Sequence, residues 1–330
     1  MDVDIKTKLL WQWHPLLSLT LVFILWKAIL ILITLTSPGS GYDTSTSLLQ
    51  LGEPTSQTGL GAHEAPVLSK FVRWDAIYYA QIAARGHIFE QEWAFDGFSS
   101  DLLRASRCKY PQGLYSTPSD RHPVLFQSDL PTLWQIAFAG VALSHAAHYG
   151  SMVLIWGIAA RIHRQKRSEH SSIASLAALL HLFSPAGVFL SAPYSEGVFA
   201  FQSFLGVSLY ITGIHLSEDE RLVQAGCTVL AGTAFGYATV TRSNGILAGL
   251  LFAIDAAESL VKILGKGLSM TPLLRLASVV LGGLLVGWGM VAPQVEAYRV
   301  YCIGIPADQR RDWCGRLVPS IYAFVQSHYW

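Results

Sequence analysis

Seven apolar segments of about twenty residues recur along the chain, and they constrain its fold more than any other feature. A helix needs about 20 apolar residues to cross the core of a bilayer. The predicted spans are residues 16–36, 133–160, 172–192, 197–216, 222–240, 245–264 and 273–295. Charged residues make up 14% of the 330 residues, against about 25% in soluble domains. The sequence therefore predicts an all-α polytopic membrane protein.

The first apolar segment follows two lysines, Lys6 and Lys8. A cleaved signal peptide has a shorter apolar region and a small-residue cleavage site, so we expect an uncleaved signal anchor. Residues 1–15 are then cytosolic and residues 16–36 form the first transmembrane helix. Lys27 interrupts this helix, and we expect its long side chain to snorkel or to face the bundle.

Basic residues predict the orientation of the other segments. With the N-terminus in the cytosol, seven of them fall on the cytosolic side, which agrees with the positive-inside bias. They are Arg161, Arg164, Lys166, Arg167, Arg221, Lys262 and Lys266. The predicted domains are then a luminal loop over residues 37–131, a six-helix membrane region over residues 132–295 and a luminal C-terminal segment over residues 296–330.

Small residues within the spans predict close helix packing. Gly232 with Gly236, and Gly283 with Gly287, have the four-residue spacing that lets two membrane helices approach.

Charged residues within the sixth predicted span allow two interpretations. Asp255, Glu258 and Lys262 share one helical face. Ionisable groups inside a span are functional candidates, but these three can also pair with one another near the cytosolic end.

Charge and cysteine content limit the partners and the compartment. The net charge of +1 and the lack of a long basic run exclude a nucleic-acid partner. Cys302 and Cys314 lie twelve residues apart in one hydrophilic segment and can pair in an oxidising lumen.

The first loop changes composition at Val67. Residues 37–66 are rich in Ser, Thr, Gly and Pro, and we predict a flexible linker. Residues 70–86 place Phe71, Trp74, Tyr78 and Ile82 along one helical stripe. We therefore predict an amphipathic helix at the membrane interface that ends at Gly86.

Carboxylates among aromatic rings make residues 67–95 the predicted catalytic part of the loop. Asp75 lies next to the stripe, and Glu90 and Glu92 follow it. Partial burial raises the pKa of a carboxylate, which suits it to accept a proton from a hydroxyl. The alternative for Asp75 is a structural bond, either to Arg73 or to the loop backbone.

Short motifs along the chain resemble the PIG-V family of GPI mannosyltransferases. Each is weak alone, but their order from residue 71 to the last residue makes the resemblance specific. They are Arg73-Trp74-Asp75-Ala76, Tyr78-Tyr79, Ile82-Ala83-Ala84-Arg85-Gly86, Glu90-Gln91-Glu92, Ala94-Phe95, Ser184-Pro185-Ala186, Phe189-Leu190-Ser191-Ala192, Tyr194-Ser195-Glu196, Arg242-Ser243-Asn244-Gly245, Tyr301-Cys302, Trp313-Cys314, Tyr322 and Gln326-Ser327-His328-Tyr329-Trp330. The family pattern continues beyond Trp330, so the resemblance implies a C-terminally short chain, and residues 37–66 are an insert.

The resemblance implies a GT-C type glycosyltransferase of the endoplasmic reticulum membrane. Its donor is dolichyl phosphate mannose, and its acceptor is the GPI anchor precursor. The family adds the second mannose in α1,6 linkage, with inversion at the anomeric carbon. Fungal members imply a small membrane partner subunit.

The same resemblance implies catalytic roles for three carboxylates. Asp75 matches the acidic residue near the start of the first luminal loop, which is the general base in such enzymes. Glu90 and Glu92 are second choices, either as ligands of the acceptor hydroxyl or as partners that raise the pKa of Asp75.

A wider set of residues is predicted to bind the substrates. Arg242 is the preferred ligand of the donor phosphate, with Arg73 and His87 behind it. Tyr194 and Glu196 share a face and can bind sugar hydroxyls. The remaining predicted substrate contacts are Trp74, Tyr78, Gln91 and Asn244.

No tightly held metal is expected. His145, His148 and His181 lie within or near spans, and their spacing does not form a tetrahedral metal set.

Two alternatives to this function stay open. One is another transferase that uses a dolichyl phosphate sugar. The other is a transporter, which would rely on Asp255 and Glu258 near the middle of the membrane.

Overall fold

The described part of the computed structural model is built from α-helices and short 3-10 helices, without strands. It comprises residues 14–37, 70–95, 133–163 and 170–329. The α-helices are, in chain order, α1 Pro15–Thr36, α2 Ala76–Arg85, α3 Leu133–Ile162, α4 His170–Leu182, α5 Glu196–His215, α6 Arg221–Thr241, α7 Gly249–Lys266, α8 Met270–Cys302 and α9 Ile321–His328. Most of the predicted flexible linker at residues 37–66 lies outside this part, as do residues 96–131.

Among the residues that the structure describes, four helices are long and apolar enough to cross a membrane. The qualifying segments are Pro15–Thr36, Gln135–Ile162, Glu196–His215 and Met270–Cys302. They confirm an all-α polytopic membrane protein. The first helix is the most apolar, with a mean hydropathy of 2.6.

The predicted span over residues 172–192 is wrong in its second half. Helix α4 has 13 residues and ends at Leu182, which gives about 20 Å against the roughly 30 Å of a bilayer core. Pro185 lacks an amide donor and disfavours a helical conformation of Ser184. Residues 183–195 therefore continue as a series of turns.

Two other predicted spans differ from expectation in composition or in extent. Helix α7 begins at Gly249, after a 3-10 helix at Ser243–Ala248, and it carries several charged residues. Helix α8 has 33 residues and ends at Cys302, so the predicted luminal tail begins as part of a helix.

The loop, the turns and the tail meet at one end of the bundle. Tyr194 bonds to Arg73, and Tyr301 bonds to Ile88. At the other end, Arg161 of α3 donates to Ser208 and Thr212 of α5. This arrangement agrees with the predicted division of segments between two sides, while the membrane side of each stays a prediction.

Glycine allows α6 and α8 to pack with their backbones in contact. A Cβ atom on Gly232 would clash with the backbone of Gly282, and one on Gly236 would lie 2.7 Å from the carbonyl oxygen of Leu285. The predicted role of Gly232 and Gly236 is confirmed. The predicted role of Gly287 is wrong, because a Cβ atom there would meet nothing within 4 Å.

Asp255 forms a partly buried ion pair with Arg275 of α8, which had not been predicted as its partner. The Nε of Arg275 donates to Asp255 at 3.2 Å, and the Tyr210 hydroxyl donates to the same carboxylate at 2.7 Å. Glu258 and Lys262 form a separate, exposed pair at 4.0 Å. The predicted pairing is therefore confirmed for Glu258 with Lys262 and wrong for Asp255, which pairs with Arg275 instead.

Alanine substitution at two glycines tests the packing of α6 against α8. Gly232→Ala is expected to destabilise the protein by about 1–3 kcal/mol, because the added methyl overlaps backbone atoms that cannot rotate away. Gly287→Ala is the matched control, and it should stabilise helix α8 by about 0.5–1 kcal/mol. Thermal unfolding of both variants in nanodiscs measures the difference, and equal melting temperatures would refute the backbone contact.

Candidate active site

Asp75 lies at the turn that starts helix α2. Two backbone hydrogen bonds close the turn. The amide of Ala76 donates to the carbonyl of Arg73, and the amide of Ile77 donates to the carbonyl of Trp74. Trp74 has a φ of 49°, a conformation that costs a non-glycine residue about 1–3 kcal/mol. Asp75 occupies the N-cap position, but its side chain accepts no capping hydrogen bond.

Helix α2 differs from the predicted amphipathic stripe. It begins at Ala76, so Phe71 and Trp74 precede it, and Trp74 is 49% exposed. The buried face instead carries Ala76, Ile77, Tyr79, Ala80, Ile82 and Ala83. This face packs against Ile136 and Ala137 of α3, because small side chains permit a closer approach than the predicted aromatic stripe.

Hydrogen bonds join α2 to the turn before helix α5. The Tyr194 hydroxyl donates to the carbonyl of Arg73 at 2.9 Å. The hydroxyls of Tyr79 and Ser195 are 2.9 Å apart and buried. These two contacts fix the loop that carries Asp75 to the start of α5.

Glu196 and Arg242 form an ion pair beside this turn. The Arg242 Nη1 donates to Glu196 Oε1 at 2.5 Å and to Ser195 Oγ at 3.5 Å. Arg242 caps the 3-10 helix Ser243–Ala248 that follows α6. The pair therefore connects the end of α6 to the start of α5, and within the described residues its hydrogen bonds use only one of the three guanidinium nitrogens.

The electrostatic surroundings of Asp75 favour its protonated form. Partial burial raises the pKa of this carboxyl, and the negative charge of Glu196 raises it further, against the opposing charge of Arg242. Glu196 Oε2 is buried and has no hydrogen-bond partner among the described residues. Asp75, Glu196 and Arg242 thus form one cluster with an available base, an unpaired acceptor and a cation.

Glu92 has a structural environment instead. It is 2% exposed and accepts hydrogen bonds from Arg85 and from the amides of Ile88 and Phe89. Burial alone would raise the pKa of Glu92, but the bonds from Arg85, Phe89 and Ile88 together lower it. A carboxylate stabilised in its charged form by four donated bonds is a poor proton acceptor.

Glu90 contacts the C-terminal segment. It is 6% exposed, accepts a hydrogen bond from Trp313 Nε1 at 3.0 Å, and forms an ion pair with Arg311, whose Nε lies 3.4 Å from Glu90 Oε1. Cys302 and Cys314 form a disulfide that closes this segment. We call the contact between residues 85–93 and 301–314 the C-terminal joint.

Glu90 and Glu92, the second-choice carboxylates, therefore do not raise the pKa of Asp75 as predicted. The acidic residue that raises its pKa is Glu196, whereas Glu90 and Glu92 are absent among the causes of that shift. Both side chains point into the C-terminal joint, because Trp313 and Arg85 supply donors there.

The other predicted substrate contacts are distributed around these two groups. Tyr78 stacks on Phe95 with ring centroids 4.3 Å apart, and His87 stacks on Trp93 at the same distance. Gln91 and Arg73 are half-buried, whereas Asn244 is exposed. The described structure thus groups Tyr194 and Glu196 with Asp75 and Arg242, and it locates His87 and Gln91 nearer the C-terminal joint.

Sequence reasoning missed Tyr79 and Ser195 as parts of the cluster. Tyr79 lies three residues after Ala76 and three before Ile82, so its helical spacing indicates the buried face. Ser195 carries no comparable signal, because its bond to Tyr79 depends on the tertiary fold.

Metal-ligand geometry is absent from the described ranges. No group of three or more His, Cys, Asp or Glu side chains is placed there to hold a metal ion. His148 and His181 stack edge to face with centroids 4.9 Å apart.

The role of Glu92 in the C-terminal joint is testable. Glu92→Gln is expected to destabilise residues 85–93 by about 1–3 kcal/mol, because two amides and Arg85 lose a charged acceptor. Since the pKa of Glu92 is lowered on folding, its contribution is present at neutral pH. The contribution should be lost as the pH falls below about 4. Hydrogen exchange of the Ile88 and Phe89 amides measures it, with the exposed Glu258→Gln as control. Unchanged exchange at neutral pH would refute the assignment.

Comparisons with known proteins agree with the motifs. The mannosyltransferase (PIG-V) family matches residues 124–330. Relatives named GPI mannosyltransferase 2 are 37% identical in Aspergillus oryzae and 36% in Aspergillus fumigatus, each over 96% of this chain. A Rattus norvegicus relative, GPI alpha-1,6-mannosyltransferase 2, is 29% identical over 80% of this chain and 52% of its own length.

The chain spans 66% and 62% of the lengths of the two Aspergillus relatives. No solved structure matches it. The family match covers more than half of the chain. The chain belongs to the PIG-V mannosyltransferase family.

Proposed function

We propose that this chain transfers mannose from dolichyl phosphate mannose to the first mannose of the GPI anchor precursor. The product linkage is α1,6, and the anomeric centre inverts. The observation that carries the proposal is the cluster of Asp75, Glu196 and Arg242 at one end of a helical membrane bundle. Family membership and the name of the rat relative support the same reaction.

Asp75 is the general base of the proposed reaction. The acceptor hydroxyl loses its proton as its oxygen attacks the anomeric carbon, and the Asp75 carboxylate receives that proton. Its raised pKa and its lack of a capping bond suit it to this task. Hydrolysis of a glycoside uses two carboxyl groups, but here the leaving phosphate is already a stable anion. One carboxylate is therefore sufficient.

Arg242 binds the departing phosphate. Glu196 holds one edge of the guanidinium and directs its other nitrogens away from the ion pair. A guanidinium with free donors matches the oxygens of a phosphate. As the glycosidic bond to the phosphate breaks, the fixed positive charge stabilises the charge that develops on the oxygen.

Glu196 has a second task, which is to orient the acceptor. Its Oε2 atom accepts no hydrogen bond from the described residues, so it can accept one from a sugar hydroxyl once rotation of the carboxylate exposes it. A hydroxyl held there lies beside Asp75, whose pKa already responds to Glu196. The carboxylate thus positions the sugar while its ion pair with Arg242 holds it in place.

The setting of this reaction is the endoplasmic reticulum membrane, with residues 67–95 in the lumen. Both substrates are lipid-linked and reach the cluster from the bilayer. The reaction proposed here needs no tightly bound metal, since Arg242 supplies the positive charge. A small membrane subunit is a further proposed partner.

Loss of the Asp75 carboxylate tests the proposed base. Asp75→Asn and Asp75→Ala are expected to lower mannosyl transfer by about 10²–10⁴-fold, because the acceptor proton has no receiver. The assay uses labelled donor in microsomes from cells that lack the second GPI mannosyltransferase. Asp308→Asn is the matched control, since this carboxylate lies exposed in the C-terminal segment.

Full transfer by a folded Asp75 variant would eliminate this residue as the base. Separate assays with a GPI precursor, an N-glycan precursor and a protein hydroxyl acceptor distinguish the proposed acceptor from those of related transferases. Transfer to one of the other two acceptors alone would overturn the GPI assignment.

The pH dependence of transfer tests the coupling between Asp75 and Glu196. Asp75 acts in its ionised form, so the rate falls as the pH drops below its raised pKa. Glu196→Gln removes a negative charge that raises this pKa and leaves Arg242 to lower it. On the acidic side of the pH profile, the fall in kcat/KM is therefore expected at lower pH in Glu196→Gln than in the wild type. This shift is expected even though the variant transfers mannose more slowly.

Glu296→Gln serves as the control for the pH profile, because Glu296 pairs with Arg299 on helix α8. Its acidic limb should match that of the wild type. An unchanged limb in Glu196→Gln would contradict the coupling.

A further inference from the structure

Lys27 is buried inside the bundle although it lies in the middle of the most apolar helix. Its side chain is 4% exposed and faces the bundle, which resolves the choice between snorkelling and facing inward. The ammonium lies 5.6 Å from the centre of the Phe23 ring. Within the described residues it forms no ion pair, so hydrogen bonds to uncharged groups must compensate the buried charge.

The ammonium binds the irregular segment at residues 183–195. Lys27 Nζ donates to the carbonyl of Leu190 at 3.0 Å and to the hydroxyl of Ser191 at 2.7 Å. The Ser191 hydroxyl in turn donates to the carbonyl of Gly187 at 2.8 Å. Non-helical backbone within a membrane bundle is tolerated only where the protein or trapped water satisfies its polar groups. Lys27 meets this need at the backbone carbonyl of Leu190, and it also binds the side chain of Ser191.

A second donor holds the same segment from the other side. The Ser144 hydroxyl of α3 donates to the carbonyl of Ala192 at 2.6 Å. Helices α1 and α3 thus bind residues 190–192 together. The next residues along the chain are Tyr194, Ser195 and Glu196, which reach α2 and Arg242.

We propose that Lys27 is a positioning residue for the site. Its two hydrogen bonds fix residues 190–191 and thereby set where Glu196 meets Arg242 and Asp75. The predicted effect of Lys27 on mannosyl transfer rests on the proposed function, whereas its predicted effect on the order of residues 183–195 does not.

Because the ammonium of Lys27 is buried, a role in positioning residues 183–195 and a role in stabilising the whole bundle predict different effects when Lys27 is replaced. An apolar side chain of similar volume often stabilises a protein as well as a buried charge does, or better. The ammonium contributes something that an apolar residue cannot, namely donors for a backbone that leaves the helical path. We therefore expect Lys27→Met to preserve the bundle and to loosen residues 183–195.

A buried cysteine reports on the segment without any need for activity. Ala192 is 2% exposed, and Ala192→Cys adds one sulfur atom in a Cys108→Ser, Cys227→Ser background. Maleimide labelling of this cysteine in the folded protein is expected to be slow. With Lys27→Met, labelling should become at least about tenfold faster, because the segment loses two hydrogen bonds and opens more often.

Transfer and thermal unfolding complete the experiment. Lys27→Met should lower transfer on the order of 10- to 100-fold through displacement of Glu196, with a melting temperature equal to or above that of the wild type. Ser191→Ala should have a smaller effect in the same direction. The double variant should be no worse than Lys27→Met, since both substitutions break the same contact.

Thr20→Val is the matched control, because it removes a hydrogen bond between α1 and Tyr149 of α3 without touching the segment. It should leave labelling and transfer as in the wild type. Slow labelling in Lys27→Met would overturn the inference, as would fast labelling with full transfer. If neither the wild type nor any variant transfers mannose, the proposed function fails. The labelling result still tests whether the hydrogen bonds of Lys27 order residues 183–195.

Discussion

The ion pair between Glu196 and Arg242 is the interaction on which the candidate site depends. It joins the start of α5 to the end of α6, and it lies close enough to Asp75 for both charges to act on that carboxyl. Neither partner is fully buried: the arginine side chain is 40% exposed and the glutamate 34%. The pair is therefore worth little for stability alone. Its value lies in geometry, because it sets a cation and an acceptor beside a base.

Two separate structures hold the loop that carries Asp75. One is the turn at Tyr194 and Ser195, which bonds to Arg73 and Tyr79 and continues into the segment bound by Lys27. The other is the C-terminal joint, where Glu90 and Glu92 are satisfied by donors from both sides. The acids and rings after Gly86 thus form a connection between loop and tail.

The sequence was sufficient for the class of fold and for naming three residues that the structure groups together, whose catalytic roles stay a proposal. Apolar segments predict helices by their length, and ordered motifs single out Asp75, Glu196 and Arg242. It was insufficient where tertiary contacts decide. Glu92 is an acid among rings, yet its pKa is lowered because Arg85 and two amides reach it. Arg275 gave no signal as a partner, since it lies twenty residues from Asp255 on another helix.

The decisive experiment is a structure of the chain with bound dolichyl phosphate mannose. We expect density for the phosphate against the guanidinium of Arg242, with the anomeric carbon open to attack from the side of Asp75. A phosphate bound at the opposite end of the bundle, near Arg161 or Arg221, would contradict it.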